Sequence, residues 1–297
     1  MIPDENTKLF IENFKRVKDL GWVKSHRSHN TGIGKTLEDL MGVEENNLDE
    51  PDFGNIEIKS HRKLVSSYIT LFTKAPTHPK SANTLLRDNY GISNDDNKDI
   101  KKLHSSMFSS HFNNTYNRWG FRLRTDDSNQ KLIIDVKDLK TNELEDINIY
   151  YDYSILESII LKKLGIVAFI LTKNKKINGE EFFHFDECFI YYKCKFQKLL
   201  SLIEDDKIQY DIRIGSYKSG KNFGKIHDHG SGFRVKKENF SELFDSVIDI
   251  EWFIPSKLPH QNKPSPSPPT SPRLSVDGLD TLHLYQVQTL DLPYLFN

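Results

Sequence analysis

The most informative stretch of this sequence reads Asp52-Phe53-Gly54-Asn55-Ile56-Glu57-Ile58-Lys59. Apolar and polar residues alternate from Ile56 to Lys59, and this period of two predicts a half-buried strand. On such a strand Glu57 and Lys59 point to one face, whereas Ile56 and Ile58 point to the other. Asp52 precedes the strand, and the intervening turn lets its carboxylate reach the same side as Glu57.

Two carboxylates and one ammonium group on one patch suit the metal-assisted hydrolysis of a phosphodiester. Oxygen ligands hold Mg²⁺, which keeps several of its waters, activates a water and offsets the negative charge that builds up on the phosphate. A neighbouring lysine stabilises the attacking hydroxide or the phosphate. The Glu-x-Lys pattern alone is also common on exposed antiparallel strands, so the nuclease interpretation depends on the rest of the chain.

The composition indicates a globular protein that does not cross a membrane. The chain has 297 residues, of which 37% are hydrophobic and 28% charged, and this is ordinary for a folded domain. It contains no apolar run of about 18 residues, and its N-terminus lacks the pattern of a signal peptide. The cysteines, Cys188 and Cys194, fit no zinc spacing and are too few for a disulfide framework. The cytoplasm is therefore the expected location.

Helical and strand patterns are mixed along the chain. Helices are predicted over 7–20, 81–90, 154–164 and 196–203, and a further helix is predicted to open at Thr36, with Asp39 completing a capping box. Strands are predicted over 67–73, 116–124, 131–136, 165–172, 182–193, 208–214 and 232–235, and 94–113 has the pattern of a loop. This mixture implies an α/β or α+β architecture with a mixed sheet.

The composition changes at Pro255. Residues 1–254 are predicted to form the folded domain, 255–278 a Pro/Ser-rich disordered linker, and 279–297 a short apolar tail. Within the tail, Gln288–Phe296 loosely resembles the Gln-Leu-Asp-Leu-Phe peptide that bacterial sliding clamps bind, which makes a sliding clamp a candidate partner. The alternatives are an extension without a role and a terminus that docks back on the domain.

Charge is unevenly distributed. The net charge of −1 argues against a strongly basic coat, but residues 211–237 carry five lysines and two arginines against two aspartates. Such a stripe is typical of a surface that contacts phosphates, although a solvated lysine-rich loop has the same composition. His227 and His229 lie in this stripe. They share a face of a strand and could bind Zn²⁺, with Asp228 or His260 as the nearest further ligand in the sequence.

Two other patterns carry less weight. Gly34-Lys35-Thr36 resembles the end of a phosphate-binding P-loop, but the position that requires a glycine is occupied by His29, and no strand precedes it. His61 directly follows Ser60 near the end of the predicted strand. It could act as a general base, but a lone histidine beside a strand is more often a surface residue.

Three stretches taken together resemble one known family. They are Asn30–Leu40 with its glycine-rich lead-in, Pro51–Lys59, and Asp211–Arg234, and Leu71–Lys74 and Ala82–Arg87 fit the same pattern. They resemble the MvaI/BcnI type of restriction endonuclease, which is related in fold to the MutH mismatch-repair nickase. The resemblance covers roughly residues 7–240, and the order of the stretches makes it more specific than any one of them.

The resemblance implies a PD-(D/E)xK nuclease core of the MutH/MvaI type, with two lobes around a DNA cleft. The N-terminal lobe would be catalytic, the C-terminal lobe would read DNA, and the protein would act as a monomer with Mg²⁺. By position in the motif, Asp52, Glu57 and the Ile58 carbonyl would be metal ligands and Lys59 the catalytic lysine. Glu38 would be a further acidic residue of the site, although a helix dipole alone favours a glutamate near a helix start.

The 211–234 segment matches the DNA-reading stretch of the family. Arg213 and Arg234 can form forked hydrogen bonds with guanine, and Asp211 can accept from cytosine N4. The other predicted DNA-binding residues are Tyr217, Lys218, Lys221, Lys225, His227 and His229, of which the lysines are expected at phosphates. The resemblance implies a CC-N-GG type of target in double-stranded DNA, with CCWGG favoured.

The expected function is therefore that of a type II restriction endonuclease. The alternative is a MutH-like enzyme that nicks DNA during repair and is recruited through the C-terminal tail. A third interpretation keeps the fold but drops catalysis, leaving a DNA-binding module. The presence of Asp52, Glu57 and Lys59 together argues against this last interpretation.

Overall fold

The computed structural model describes residues 3–29, 31–43, 50–93, 97–98 and 100–251, which lie within one compact unit, Met1–Pro255. The helices are α1 Glu5–Asp19, α2 Gly32–Met41, α3 Ala82–Tyr90, α4 Tyr153–Lys163, α5 Phe196–Glu204 and α6 Lys237–Phe240. The strands are β1 Val23–Lys24, β2 Glu57–Arg62, β3 Ile69–Thr73, β4 Ile92–Ser93, β5 Lys101–Met107, β6 Trp119–Asp126, β7 Lys131–Asp138, β8 Tyr150–Asp152, β9 Ile166–Ile177, β10 Glu180–Cys194, β11 Ile208–Ser216, β12 Ile226–Asp228, β13 Gly232–Val235 and β14 Phe244–Asp249. The predicted linker and tail, 255–278 and 279–297, lie outside the described residues.

The first sheet carries the predicted acidic strand at its edge. Its order is β1-β10-β9-β2, with β14 also paired to β10, and β2 runs parallel to β9. Helices α1 and α2 cover one face, where Phe10, Phe14 and Leu37 pack with Ile56 and Ile58 in a buried cluster. The alternation of β2 therefore buries its isoleucines under the helices and turns Glu57 and Lys59 the other way.

The second sheet has the order β3-β13-β11-β5-β4, with β12 paired to β11, and β6, β7 and β8 form a third. A larger apolar cluster joins these two sheets to α3, α4 and α5, and aromatic side chains such as Tyr151, Tyr210 and Phe233 lie at its centre. No helix among the described residues is long and apolar enough to span a membrane.

Most of the predicted elements are present. The helices expected over 7–20, 81–90, 154–164 and 196–203 are α1, α3, α4 and α5, with ends that differ by two residues at most. The strands predicted over 116–124 and 131–136 correspond to β6 and β7, which pair as an antiparallel hairpin. Helix α1 begins where Asp4 accepts a 2.7 Å hydrogen bond from the backbone N–H of Thr7, which satisfies a donor that the helix leaves unpaired.

The prediction that a helix opens at Thr36 with a capping box was wrong. Helix α2 already begins at Gly32, and Thr36 lies buried inside it, where its Oγ1 donates to Gly32 O at 2.7 Å and accepts from His26 N at 2.9 Å. A side chain at Gly32 would collide with the preceding loop, because its Cβ would lie 2.2 Å from the carbonyl oxygen of Arg27. The glycine thus lets the helix start pack directly on that loop.

The prediction that 94–113 is a loop was also wrong over part of its length. Lys101–Met107 is the strand β5, which pairs with β11 on one side and β4 on the other. Its apolar positions Leu103 and Met107 are buried, while two lysines precede Leu103 and a histidine and two serines lie between Leu103 and Met107. Such polar residues weaken the strand signal in a single sequence, and pairing with β11 overrides it.

Candidate functional site

Three of the predicted catalytic residues lie together at the β2 edge of the first sheet. Lys59 Nζ donates to Glu57 Oε1 at 2.6 Å, across one face of the strand. Asp52 lies in the turn before the strand, and its Oδ2 accepts from the backbone N–H of Ile58 at 2.8 Å. The result is a compact patch of two carboxylates and one ammonium group.

Burial and the charge of Glu57, in that order, raise the pKa of Asp52 above its ordinary value. The hydrogen bond from Ile58 and the charges of Lys59 and Lys163 oppose the rise but do not cancel it. Lys163 was not predicted. It lies near the end of α4, and its Nζ is 3.5 Å from Glu57 Oε2. No spacing in the sequence links it to Glu57, because the pairing of β2 with β9 is what brings α4 there.

The donor set of this patch fits Mg²⁺. Glu57 Oε2 is buried and has no hydrogen-bond partner among the described residues. Within the described ranges, no group of three or more His, Cys, Asp and Glu side chains could hold a metal ion. Two carboxylates with a backbone carbonyl would therefore need water and substrate oxygens to complete the shell. Mg²⁺ is bound in this way, through one or two carboxylates, several waters and a phosphate.

Glu38, the fourth predicted catalytic residue, lies in α2 near Ser60 of β2. A Cβ on Gly34 would be 3.6 Å from Glu38 Oε1 and 3.8 Å from Ser60 Oγ, which places the Glu38 carboxylate on the α2 side of β2, beside Ser60. Ser60 alternates with Glu57 and Lys59 along the strand, and Glu38 is not among the largest influences on Asp52. The structure thus brings Asp52, Glu57 and Lys59 together, and Glu38 lies beside the next residue of the strand, Ser60.

The lysine of the acidic patch, Lys59, lines a cavity of about 1390 Å³ whose lining comes from both large sheets. Lys59 and Ser60 line it from the first sheet, and Thr70, Arg213 and Arg234 line it from the second. A molecule that fills this cavity would therefore contact Lys59 together with Arg213 and Arg234, which were predicted to read DNA.

One face of the second sheet is polar, and the register of β11 with β5 sets which residues meet on it; we call it the reading face. Asp211 and Arg213 share this face of β11, with Ser106 of β5 opposite Asp211 and His104 opposite Arg213. Asp211 is buried, and its Oδ1 accepts from Ser106 Oγ at 3.1 Å. Its Oδ2 lies 2.5 Å from Arg213 Nε and 2.9 Å from Arg234 Nε. A single carboxylate therefore orients both arginines.

The two arginines differ in what they can still bind. The Arg213 side chain is 48% exposed and that of Arg234 only 10%. Arg234 donates from Nη2 to Gly230 O at 2.8 Å and from Nη1 to Thr70 Oγ1. Burial and the charge of Arg213 lower the pKa of Arg234, whereas the Asp211 carboxylate acts in the opposite direction. Arg213 thus presents a guanidinium to the cavity, whereas Arg234 is largely occupied by protein partners.

The predicted aromatic residues form a column beside Arg213. The rings of Tyr217 and His227 are stacked with centroids 4.2 Å apart, and His229 follows at 4.0 Å from His227. His104, which was not predicted, lies edge-on to His229 at 6.4 Å. Burial is the main cause that lowers the pKa of His104 and of His229. Near pH 7 these imidazoles are therefore neutral, each with one donor and one acceptor.

Asp228 does not complete a zinc site with these histidines. Its Oδ2 accepts from Asn83 Nδ2 at 3.0 Å, and its Oδ1 accepts from the backbone N–H groups of Gly230 and Ser231 at 2.9 and 2.7 Å. The carboxylate is thus used to shape the turn before β13. The other ligand considered, His260, lies outside the described residues.

The predicted phosphate-binding lysines occupy one loop. Lys218, Lys221 and Lys225 are exposed between β11 and β12, in a segment that contains a short 3-10 helix at Gly220–Asn222. Their exposure suits contacts with a backbone rather than with buried base edges.

Sequence reasoning missed several polar residues of the reading face. Gln209, buried and two positions before Asp211, could have been found from the alternation of the predicted strand. Thr70, His104 and Ser106 come from other strands. Only the pairing of β3 with β13 and of β5 with β11 brings them to the same face.

Comparisons with known proteins agree with this geometry. The model of a family described as the MvaI/BcnI restriction endonuclease family matches residues 11–244. The fold is similar to a structure titled restriction endonuclease MvaI-cognate DNA substrate complex, with a TM-score of 0.77 and 38% identity over 84% of this chain and 100% of that chain. For restriction endonuclease MvaI in the absence of DNA, the TM-score is 0.56 at 36% identity, over 84% and 99% of the two chains. No curated protein matches the chain. The predicted mixed α/β fold and the predicted family are confirmed.

Proposed function

Because this chain belongs to the MvaI/BcnI restriction endonuclease family and is therefore a type II site-specific DNA endonuclease, we propose that it cuts double-stranded DNA at a CC-N-GG type of site, with CCWGG favoured. One observation carries the proposal: Lys59, which is paired with Glu57 in the acidic patch, and Arg213 of the arginine-bearing face line the same cavity. A duplex in that cavity would meet the residues that read it and the residues that cut it.

The reading face favours G·C pairs. Arg213 is held at Nε by Asp211, which leaves its two terminal nitrogens to donate to O6 and N7 of a guanine. A guanidinium with a fixed orientation loses less freedom on binding than a mobile one. The neutral imidazoles beside it supply donors and acceptors at the same level of the groove. Lys218, Lys221 and Lys225 would contact phosphates and set the register of the duplex.

The acidic patch supplies the hydrolytic chemistry. Asp52, Glu57 and the Ile58 carbonyl would hold Mg²⁺, which when bound supplies positive charge to the phosphate and lowers the pKa of water. Lys59 lines the cavity, and its Nζ has one carboxylate partner at 2.6 Å. The remaining protons of that ammonium would be donated to the attacking water and to a non-bridging oxygen of the scissile phosphate. Cleavage of the bond to the 3′ oxygen leaves 5′-phosphate ends.

The part of the chain that the structure describes carries one such acidic patch, so a monomer would cut one strand per event. Cutting both strands then takes two nicking steps with a change of orientation between them. The alternative, a repair nickase recruited through the tail, would stop after the first step. The tail lies outside the described residues, so the number of strands cut is the property that separates the two functions.

Purified full-length protein incubated with a supercoiled plasmid that carries CCWGG and CCSGG sites provides the test. The expected result is a set of discrete linear fragments that end within CCWGG sites and carry 5′-phosphates, formed only when Mg²⁺ is added. Nicked circles that never become linear would replace this proposal with the repair nickase. Binding without cleavage at any Mg²⁺ concentration would leave a DNA-binding protein.

Replacing Arg213 with lysine is expected to relax recognition of guanine. A lysine keeps the charge but cannot form the forked pair of hydrogen bonds. Discrimination between the cognate duplex and one with a single G·C to A·T change should fall by about 10- to 100-fold. Competition binding without Mg²⁺ measures this ratio. The matched control Lys218→Ala should weaken both duplexes equally and reduce the salt dependence of binding. Equal discrimination by Arg213→Lys and the wild type would remove Arg213 from base recognition.

A further inference from the structure

His61 is a buried side chain that the proposed chemistry does not use. It lies in β2 on the same face as Glu57 and Lys59, two residues beyond the lysine. Its side chain is almost completely covered, with 6% exposure, and its ring packs against Phe169 with a centroid separation of 6.4 Å. A buried imidazole this close to a catalytic lysine has a defined position that its partners must maintain.

The partner of His61 lies on the segment that leaves the first sheet. His61 Nε2 is 3.0 Å from Ser67 O and 3.1 Å from Ser67 Oγ. A carbonyl oxygen only accepts, so Nε2 carries the proton and donates to Ser67 O. Residues 63–68 connect β2 of the first sheet with β3 of the second. His61 therefore ties the acidic strand to the beginning of the other sheet.

Strand β3, which follows Ser67, contacts the polar face that carries Asp211 and Arg213 through the hydrogen bond between Thr70 and Arg234. Thr70 lies three residues beyond Ser67 in β3, and its Oγ1 accepts from Arg234 Nη1. Arg234 lies 2.9 Å from the Asp211 carboxylate, which accepts from Arg213 Nε at 2.5 Å. Lys59, His61, Ser67, Thr70, Arg213 and Arg234 all line the same cavity. The hydrogen bonds of His61 with Ser67 and of Thr70 with Arg234, joined by the backbone of β2 and of residues 67–70, thus connect Lys59 with Arg213 along this wall.

We infer that His61 is a positioning residue that couples base recognition at Arg213 and Asp211 to the placement of Lys59 at the scissile phosphate. The inference rests on the proposed function. A guanine that binds Arg213 would fix the positions of Asp211 and Arg234. Arg234 in turn holds Thr70 and thus the start of β3. The hydrogen bond between His61 and Ser67 O then links the position of this segment to that of β2. A different base at this position would leave Arg213 differently placed, and the same contacts would then shift β2 and Lys59. Catalytic groups displaced by about 1 Å lose about 100-fold in rate.

Substitution of His61 by asparagine and by glutamine tests this role. The amide nitrogen of asparagine falls near Nδ1 of the imidazole and cannot reach Ser67 O, whereas that of glutamine falls near Nε2 and can donate to it. His111→Asn is the matched control, since His111 is exposed and does not line the cavity. For each variant we would measure single-turnover cleavage with Mg²⁺ of the cognate duplex and of a duplex in which one G·C pair of the site is changed to A·T (the near-cognate duplex). Affinity for both duplexes without Mg²⁺ and the melting temperature of the variant complete the set.

His61→Asn is expected to lower the cognate cleavage rate by about 10- to 100-fold with nearly unchanged affinity. It should lower the cleavage rate of the duplex with one changed base pair by less, so that the ratio of the two cleavage rates falls by up to about 30-fold. His61→Gln should restore most of the cognate rate, and His111→Asn should match the wild type. Equal losses on both duplexes, no loss at all, or failure of glutamine to rescue a folded protein would each overturn the inference. A wild-type chain that cuts no duplex would instead overturn the proposed function.

Discussion

Replacing Lys59 with alanine is expected to reduce the DNA cleavage rate by about a thousandfold, the effect of removing one preorganised donor from a developing negative charge. Lys59 lines the cavity from the acidic strand, and its Nζ lies 2.6 Å from Glu57 Oε1. Binding of the cognate duplex without Mg²⁺ should remain close to that of the wild type, because Arg213 and the loop lysines are untouched. Single-turnover cleavage and a binding titration on the same preparation measure both quantities.

The matched control is Lys24→Ala, which removes a lysine from the wall of the same cavity but outside the acidic patch. Lys24 is paired with Glu180 at 2.5 Å, so its loss should leave the cleavage rate nearly unchanged. A Lys59→Ala protein that cuts at close to the wild-type rate would remove Lys59 from the mechanism. An equal loss in Lys24→Ala would show that cavity charge, rather than the position of Lys59, sets the rate.

Asp52→Asn is expected to abolish cleavage and to raise the melting temperature in metal-free buffer. Removal of a carboxylate that is proposed to hold Mg²⁺ should cost at least about a thousandfold in rate. The stability effect follows from the raised pKa of Asp52, which burial and the Glu57 charge cause. A carboxyl whose folded pKa lies above its unfolded value destabilises the fold when ionised at neutral pH. Asparagine removes this charge and can still accept from Ile58 N.

The sign of this effect fixes its pH dependence. The difference in melting temperature between Asp52→Asn and the wild type should be largest near pH 7 and should shrink as the pH falls and Asp52 becomes protonated in the folded state. Added Mg²⁺ should raise the melting temperature of the wild type much more than that of the variant. Differential scanning calorimetry across this pH range measures both. A variant that is less stable than the wild type without metal would contradict the argument.

Asp135→Asn is a control of opposite sign. Asp135 is also partly buried, but hydrogen bonds from Arg124 and Arg122 lower its pKa in spite of that burial. Its ionised form therefore stabilises the fold, and that contribution is lost as the pH falls through the folded pKa. The asparagine variant should melt below the wild type near pH 7, while its cleavage rate should not change.

The local patterns of the sequence were sufficient for the acidic strand and most helices. The alternation from Ile56 to Lys59 placed Glu57 and Lys59 on one face because period two is a property of any strand. The start of α2 was misplaced, since Thr36 forms its hydrogen bonds inside the helix and the collision at Gly32 involves a neighbouring loop. Such contacts are not encoded in spacing.

Residues that enter the site through strand pairing were beyond sequence reasoning. His104 and Ser106 lie in a strand whose polar composition resembled a loop, and they join the reading face only because β5 pairs with β11. Lys163 reaches Glu57 from α4, more than 100 positions away, by the parallel pairing of β2 with β9. The predicted roles of Arg213 and Arg234 were alike, and only their unequal burial separates them.

The shared carboxylate of Asp211 limits how the target sequence of such an enzyme can drift during evolution. Reading a different base requires a change at Arg213, but Asp211 would then lose one of its two cations while Arg234 still depends on it. Changing Asp211 first would leave Arg234 buried without its counter-ion, which typically costs about 3–5 kcal/mol. New specificities should therefore arise through linked substitutions at Asp211, Arg213 and Arg234, so descendants that recognise other sites should differ at these positions together.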